Sequence, residues 1–180
     1  EITLTNNGTL LEDYSMELKN SGIDRINISL DTLNEEIFEK ITRRKNLKKI
    51  LKGIDEAKKY NFKLKINTVV LKDSNVDEIP ELIYWSHKNG MDISLIETMP
   101  LGDIDSDRYD QFFSINELRK KIEKKFTLTK SSYTTSGPSD YYKVKETGKN
   151  IGFITPLSNN FCSSCNRIRV TCTGMLYMCL

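Results

Sequence analysis

The sequence is short of several things. In 180 residues it holds four prolines, one tryptophan, one histidine and four cysteines, and no cysteine occurs before position 162. Cysteines that staple a secreted fold are spread through it. These are clustered at metal-ligand spacing behind no export-signal pattern, which favours a reducing cytosol and a metal site over disulfides. The lone histidine, His87, lies far away in a helix pattern, so a four-ligand zinc site would have to use all four cysteines. No apolar run approaches the roughly 20 residues of a membrane span. A net charge of +2 lacks the strong basic excess of a nucleic-acid binder. There is no internal repeat and no low-complexity tract beyond short lysine-rich helix faces. The chain opens without Met on residues that read as a strand already under way, and stops one residue after its last Cys. Both ends read as cut from something longer.

What is present is an alternation of strands and helices over residues 1–100. Strands are expected at 2–7, 25–30, 63–71 and 92–98, rich in Ile, Val, Leu and Thr. Leu47, Ile50, Leu51, Ile54 and Ala57 mark one face of a helix with Lys on the other. Thr32 and Glu35 have the spacing of a capping box before Ile37, Phe38 and Ile41. Asn75 is expected to cap a helix over 76–89, and Gly22 and Gly90 sit where helices should stop. Four β units joined by helical crossovers imply a parallel sheet, open or part of a larger barrel. After Pro100 the character changes. Residues 101–113 read as a linker, Ser114 and Glu117 cap a last helix, and 141–146, 150–156 and 167–171 read as short strands of a smaller antiparallel sheet around the cysteines.

Cys162 and Cys165 form a two-thiolate claw, and Cys179 returns a third thiolate after an excursion long enough for a hairpin. If residues 167–172 are extended, Arg167, Arg169 and Thr171 share one face while Ile168, Val170 and Cys172 share the other. Cys172 is then expected in the apolar core. Three thiolates would leave one iron of a cluster without a protein ligand. Spacing alone leaves zinc and iron–sulfur equally open, since Cys-x-x-Cys serves both. Two guanidiniums beside the cysteines suit an anionic ligand, although charges on a strand face are usually only solvated.

The segment Asn159-Asn160-Phe161-Cys162-Ser163-Ser164-Cys165-Asn166-Arg167-Ile168-Arg169-Val170-Thr171 resembles the C-terminal signature of the radical S-adenosylmethionine GTP 3′,8-cyclases of molybdenum cofactor biosynthesis, the MoaA family. Further blocks agree in order. They are Leu4-Thr5-Asn6-Asn7-Gly8, Arg25 to Leu33, Lys65 to Val70, Ile96 to Pro100 and Ile151 to Ile154. The resemblance implies an α/β fold, a partial (β/α)6 barrel of about four βα units (residues 1–105, strands three to six). A small C-terminal α+β region (residues 106–180) would follow and carry a cluster. It implies GTP as substrate, with hydrogen abstraction from the ribose C3′ and bond formation to guanine C8. It implies GTP contacts at Thr5, Lys65, Arg167, Ile168 and Arg169, and S-adenosylmethionine contacts at Ser29 and Met99. A [4Fe–4S] cluster would be held by Cys162, Cys165 and Cys179, its open iron facing the base. The second [4Fe–4S] cluster, which splits S-adenosylmethionine, needs a CxxxCxxC motif absent from this sequence. So it belongs to a longer enzyme, and this chain alone is expected to be inactive. A cytoplasmic setting, a homodimer and a pathway enzyme acting on the cyclised nucleotide are further implications. Three departures from the family pattern stand out: Asn6 for Thr, Ser94 for Arg, and Cys172-Thr173 for Ala or Ser followed by Asp.

Plainer readings stand beside these. Lys63, Lys65 and Asn67 on spacing alone read as the solvated face of an antiparallel strand. Asp31 reads as a helix cap, Thr5 to Gly8 as a turn, Met99 as a strand end, His87 as a surface residue and Trp85 as core. The plainest alternative for the whole chain is a non-catalytic four-cysteine zinc module that binds a partner, and it requires Cys172 as a ligand.

Overall fold

The computed structural model describes residues 1–99, 110–135, 137–159 and 167–178. Strands β1 (Thr3–Asn6), β2 (Arg25–Ser29), β3 (Lys63–Val70) and β4 (Asp92–Glu97) fall within a residue or two of the expected spans. Between them run α1 (Leu11–Asn20), α2 (Glu35–Thr42), α3 (Leu47–Lys58) and α4 (Ile79–Lys88). Next come α5 (Ile115–Glu123), β5 (Leu128–Lys130), β6 (Asp140–Val144) and β7 (Asn150–Ile154). A two-residue pair, β8 (Arg169–Val170) and β9 (Leu176–Tyr177), completes the elements.

The large sheet has the order β1-β2-β3-β4-β7-β6-β5. Its first five strands are parallel, and β6 and β5 return antiparallel. This corrects the expectation of a separate small sheet for residues 141–156: β7 pairs directly with β4 and extends the barrel strands. The α5 crossover carries the chain back across the sheet, and Ile151, Gly152 and Phe153 are buried in succession, as in a strand covered on both faces.

Parity divides the strands. Ile26, Ile28, Ile66, Val70, Ile93, Leu95, Ile151 and Phe153 join Leu11, Ile50, Ile54, Ile79, Leu82, Ile83, Ile115, Leu118 and Ile122 in one apolar cluster. Each such side chain stabilises the fold by about 1.5–3 kcal/mol. The helices therefore cover one face, and the alternate residues of every strand face the other way. The β1–α1 turn presses against α3. Gly8 takes φ 78°, and a Cβ there would lie 2.7 Å from Ile50 Cγ2.

Several cap expectations change. The α2 cap is Asn34, whose Oδ1 accepts from Glu36 N and Ile37 N, at 2.9 and 3.2 Å. The Thr32 hydroxyl is occupied elsewhere, donating to Glu78 and accepting from Asn34 N. Asn75 does not cap α4. It is buried, accepts from Leu71 N and donates to Asp31 O and Val69 O, tying the ends of β2 and β3 together. Ser114 does cap α5, accepting from Asn116 N, and Gly22 and Gly90 end α1 and α4 at φ 82° and 80°. His87 is buried against the β6–β7 turn, not exposed. No helix among the described residues is long and apolar enough to cross a membrane.

Candidate functional site

The helix-free face of the sheet is polar, which is unusual for parallel strands. Strand register builds it in rows. Thr5, Asn27, Lys65 and Asp92 stand side by side across β1 to β4. The next row toward the strand C-termini holds Ser29, Asn67, Ser94, Gly152 and Tyr141. Asn27 Nδ2 donates to Thr5 Oγ1 at 3.2 Å. The side-chain oxygens Oδ1 of Asn27 and Asn67 are buried with no partner among the described residues. An unpaired buried acceptor costs about 1–3 kcal/mol, so two of them beside one lysine make this stretch of the face costly as it stands.

Lys65 is only 8 % exposed. Among the described residues its ammonium pairs with no carboxylate. Its register neighbour Asp92 is turned to Asn150, accepting from the backbone N at 2.9 Å and Nδ2 at 3.4 Å. The one side chain that meets Lys65 Nζ in the described structure is Tyr141, whose hydroxyl accepts at 3.3 Å. A nearly buried cation without a counter-charge is costly unless an anion completes it. Tyr141 reaches this face through a notch at Gly152, where a Cβ would come within 2.9 Å of Tyr141 Cε1 and 2.8 Å of Ser94 Oγ. Tyr133 meets the Tyr141 ring edge-on, centroids 4.9 Å apart, and accepts from Arg25 Nη1 at 3.0 Å. Burial raises the Tyr141 phenol, but the charge of Lys65 and hydrogen bonds with Thr135, Ser139 and Lys65 outweigh it and hold the phenol below its usual range.

At the C-terminal strand ends, where barrel enzymes place their chemistry, sit Ser29, Asp31 and Met99. Ser29 is exposed on the same face as Lys65, and Met99 is half-buried two residues beyond β4. Asp31 is not a helix cap. Its Oδ1 accepts from Val69 N at 2.8 Å, and burial pushes its carboxyl up to about 6 despite that bond. Glu97, also buried, accepts from Ile115 N, Leu157 N and Ser158 N and from the Ser158 hydroxyl, anchoring α5 and the segment after β7.

The structure thus gathers Thr5, Ser29 and Lys65 on one face, with Met99 at its rim. Arg167, Ile168 and Arg169 are exposed, and β8 and β9 pair with each other rather than with the large sheet. Cys162, Cys165 and Cys179 lie outside the described residues. Cys172 is not in the core: it is exposed in the β8–β9 turn, and its parity mates Ile168 and Val170 are exposed too. Only Arg169 and Val170 lie in a strand, so the extended run assumed over 167–172 does not reach Cys172, and the described side chains of this short hairpin are exposed. The sequence reading missed Asn27 and Tyr141. Asn27 shares parity with Ser29 and register with Lys65, a signal available once the sheet is taken as parallel. Tyr141 had no local signal, because its role depends on β7 pairing with β4.

With helices on one face and a polar face opposite, the molecule has a partial radical-SAM fold. A model of the Radical SAM superfamily matches residues 1–85. The crystal structure of Streptococcus suis SuiB bound to S-adenosylmethionine superposes with a TM-score of 0.52 at 20% identity, covering 68% of this chain and 28% of that one. A model of the Molybdenum Cofactor Synthesis C family matches residues 91–180, and the chain belongs to that family. Over all 180 residues it is 53% identical to the GTP 3′,8-cyclase of Rhizobium etli (strain CIAT 652) and 54% identical to that of Brucella canis (strain ATCC 23365 / NCTC 10854 / RM-666). It spans about half the length of these curated relatives, 52% of each.

Proposed function

We propose that the chain is the substrate-holding part of a GTP 3′,8-cyclase, a cytoplasmic radical S-adenosylmethionine lyase of molybdenum cofactor biosynthesis. The observation that carries this reading is Lys65: a nearly buried ammonium that meets no carboxylate among the described residues, beside the buried side-chain oxygens of Asn27 and Asn67, which have no donor there. A nucleotide supplies both complements, phosphate oxygens for the lysine and base or ribose donors for the asparagines. Thr5 and Lys65 would contact GTP from the sheet, and Arg167, Ile168 and Arg169 from the hairpin. Ser29 and Met99 would contact S-adenosylmethionine at the strand ends. The donor set Cys162, Cys165 and Cys179 fits a [4Fe–4S] cluster, because three thiolates leave one iron free for a substrate atom. When bound, the cluster supplies that open coordination position for the base. The chain's own residues orient the nucleotide and neutralise its phosphates. The division of labour would be a partial barrel over residues 1–105, whose sheet β7, β6 and β5 continue, and a region over 106–180 that carries the cluster. The cluster that splits S-adenosylmethionine belongs to the remainder of the full-length enzyme, and the cyclised nucleotide passes to the next enzyme of the pathway.

Calorimetric titration of the full-length protein with GTP and with guanosine tests this. Lys65→Met is expected to weaken GTP roughly 10- to 100-fold, the worth of a charge-assisted bond, and to leave guanosine unchanged. Equal GTP affinity in both proteins would remove Lys65 from the site.

A further inference from the structure

Resting on the nucleotide reading of Lys65, we propose that Tyr141 is a positioning residue: its hydroxyl fixes the Lys65 ammonium for the nucleotide's phosphates. Four features converge on this role. First, Tyr141 comes from β6, a strand separated from Lys65 by β7 and β4 in the sheet order, yet its hydroxyl ends 3.3 Å from Lys65 Nζ. Second, the sheet is carved to let it through. Gly152 has no side chain and Ser94 a short one, and a single methyl at 152 would overlap the ring. Third, the ring is held from the other side by Tyr133, which Arg25 anchors on β2, so the phenol has little freedom to swing away. Fourth, the Tyr141 hydroxyl lies 3.4 Å from the Thr135 hydroxyl, which can accept the phenolic O–H and leave a lone pair toward Lys65.

The chemistry explains why a lysine here needs such a partner. Its four-carbon stem is rich in rotamers, and its ammonium is a point donor with no fork to fix direction. A carboxylate partner would compete with phosphate for the charge. A phenol does not: it accepts one N–H, leaves the charge uncompensated and directs the other two N–H groups onto the open face. Ser94 matters in the same way. A longer side chain at 94 would enter the volume beside Gly152. In this chain the short side chain leaves that volume to Tyr141 and Ser139, whose hydroxyl lies 3.4 Å from that of Ser94.

The test is a double-mutant cycle on the full-length protein, read as GTP affinity by calorimetry with melting temperature alongside. Tyr141→Phe keeps the ring and its packing and removes only the oxygen. It is expected to weaken GTP about 3- to 10-fold with the melting temperature little changed. In a Lys65→Met background the same change is expected to weaken GTP no further. A full additional loss in that background would show that Tyr141 acts on the nucleotide or the fold independently of Lys65, and would overturn the proposal. So would an unchanged affinity for Tyr141→Phe while Lys65→Met is weakened. If Lys65→Met itself leaves affinity intact, the nucleotide reading fails and this inference falls with it.

Discussion

The cations assigned to the nucleotide sit in two very different settings. Lys65 lies in an eight-residue central strand, nearly buried, with its ammonium on Tyr141. Arg167 and Arg169 lie on a hairpin of two-residue strands whose apolar side chains are largely exposed, Met178 to 82 %. The sheet fixes one charge before any ligand arrives. Among the described residues the hairpin has no such core. On the proposed reading its position would come from what its neighbouring thiolates bind, so the first half of the site would be preorganised by packing and the second by ligation.

The two halves are expected to respond differently when each is damaged separately. Lys65→Met is expected to weaken GTP binding in the absence of iron as well as in its presence. Arg167→Ala with Arg169→Ala is expected to weaken it only once the iron site is filled. Equal losses in iron-free protein, measured by the same titration, would show that the hairpin is preorganised after all.

Next in size is Gly152→Ala. The added methyl overlaps Tyr141 and Ser94, so a stability loss of roughly 1–3 kcal/mol is expected from denaturant titration. Lys65 should lose its partner at the same time. A neutral substitution would mean that the notch is wider than the contacts indicate.

Asp31 gives a pH-dependent effect of similar or smaller size. Its folded-state carboxyl is raised from 3.8 to about 6. Below pH ~4 the group is protonated in both states and costs nothing. Stability then falls as pH rises toward 6, and the full cost, roughly 3 kcal/mol, persists above. Asp31→Asn is therefore expected to melt higher than the parent at pH 7 and to show little difference at pH 4. A constant offset across that range would remove titration as the cause.

His87 works in the opposite sense and more weakly. Burial lowers its proton affinity despite the bond to Asn150. Nε2 faces the Asn150 carbonyl and donates, leaving Nδ1 to accept from Thr147 Oγ1 at 2.7 Å. The neutral ring is the folded form, so stability is lost as pH falls below about 6.5, where the unfolded histidine protonates. His87→Gln is expected to flatten that acid-side loss in melting curves between pH 7 and 5.

The barrel half was legible because its signals are local. Alternating apolar residues, helix faces and stop glycines all lie within one turn or strand of what they specify. The same locality misled at the caps. Thr32 has the spacing of a capping box, but its hydroxyl is claimed by Glu78, 46 positions away. Asn75 and Asp31 bond across strands, and His87 is buried by a turn whose approach depends on β7. For the same reason residues 141–156 read as a separate sheet: nothing in their own sequence states that β4 is their neighbour. Of the candidate site, the resemblance reached Thr5, Ser29 and Lys65. Asn27 and Tyr141 become visible only with the register.

The most direct measurement is the iron, acid-labile sulfide and zinc content of the anaerobically reconstituted protein, wild type beside Cys172→Ala. Four irons and four sulfides attributable to the C-terminal thiolates, unchanged by the substitution, are expected for a three-cysteine cluster with an open iron. One zinc per chain, lost with Cys172, would contradict it and point instead to a four-thiolate structural site.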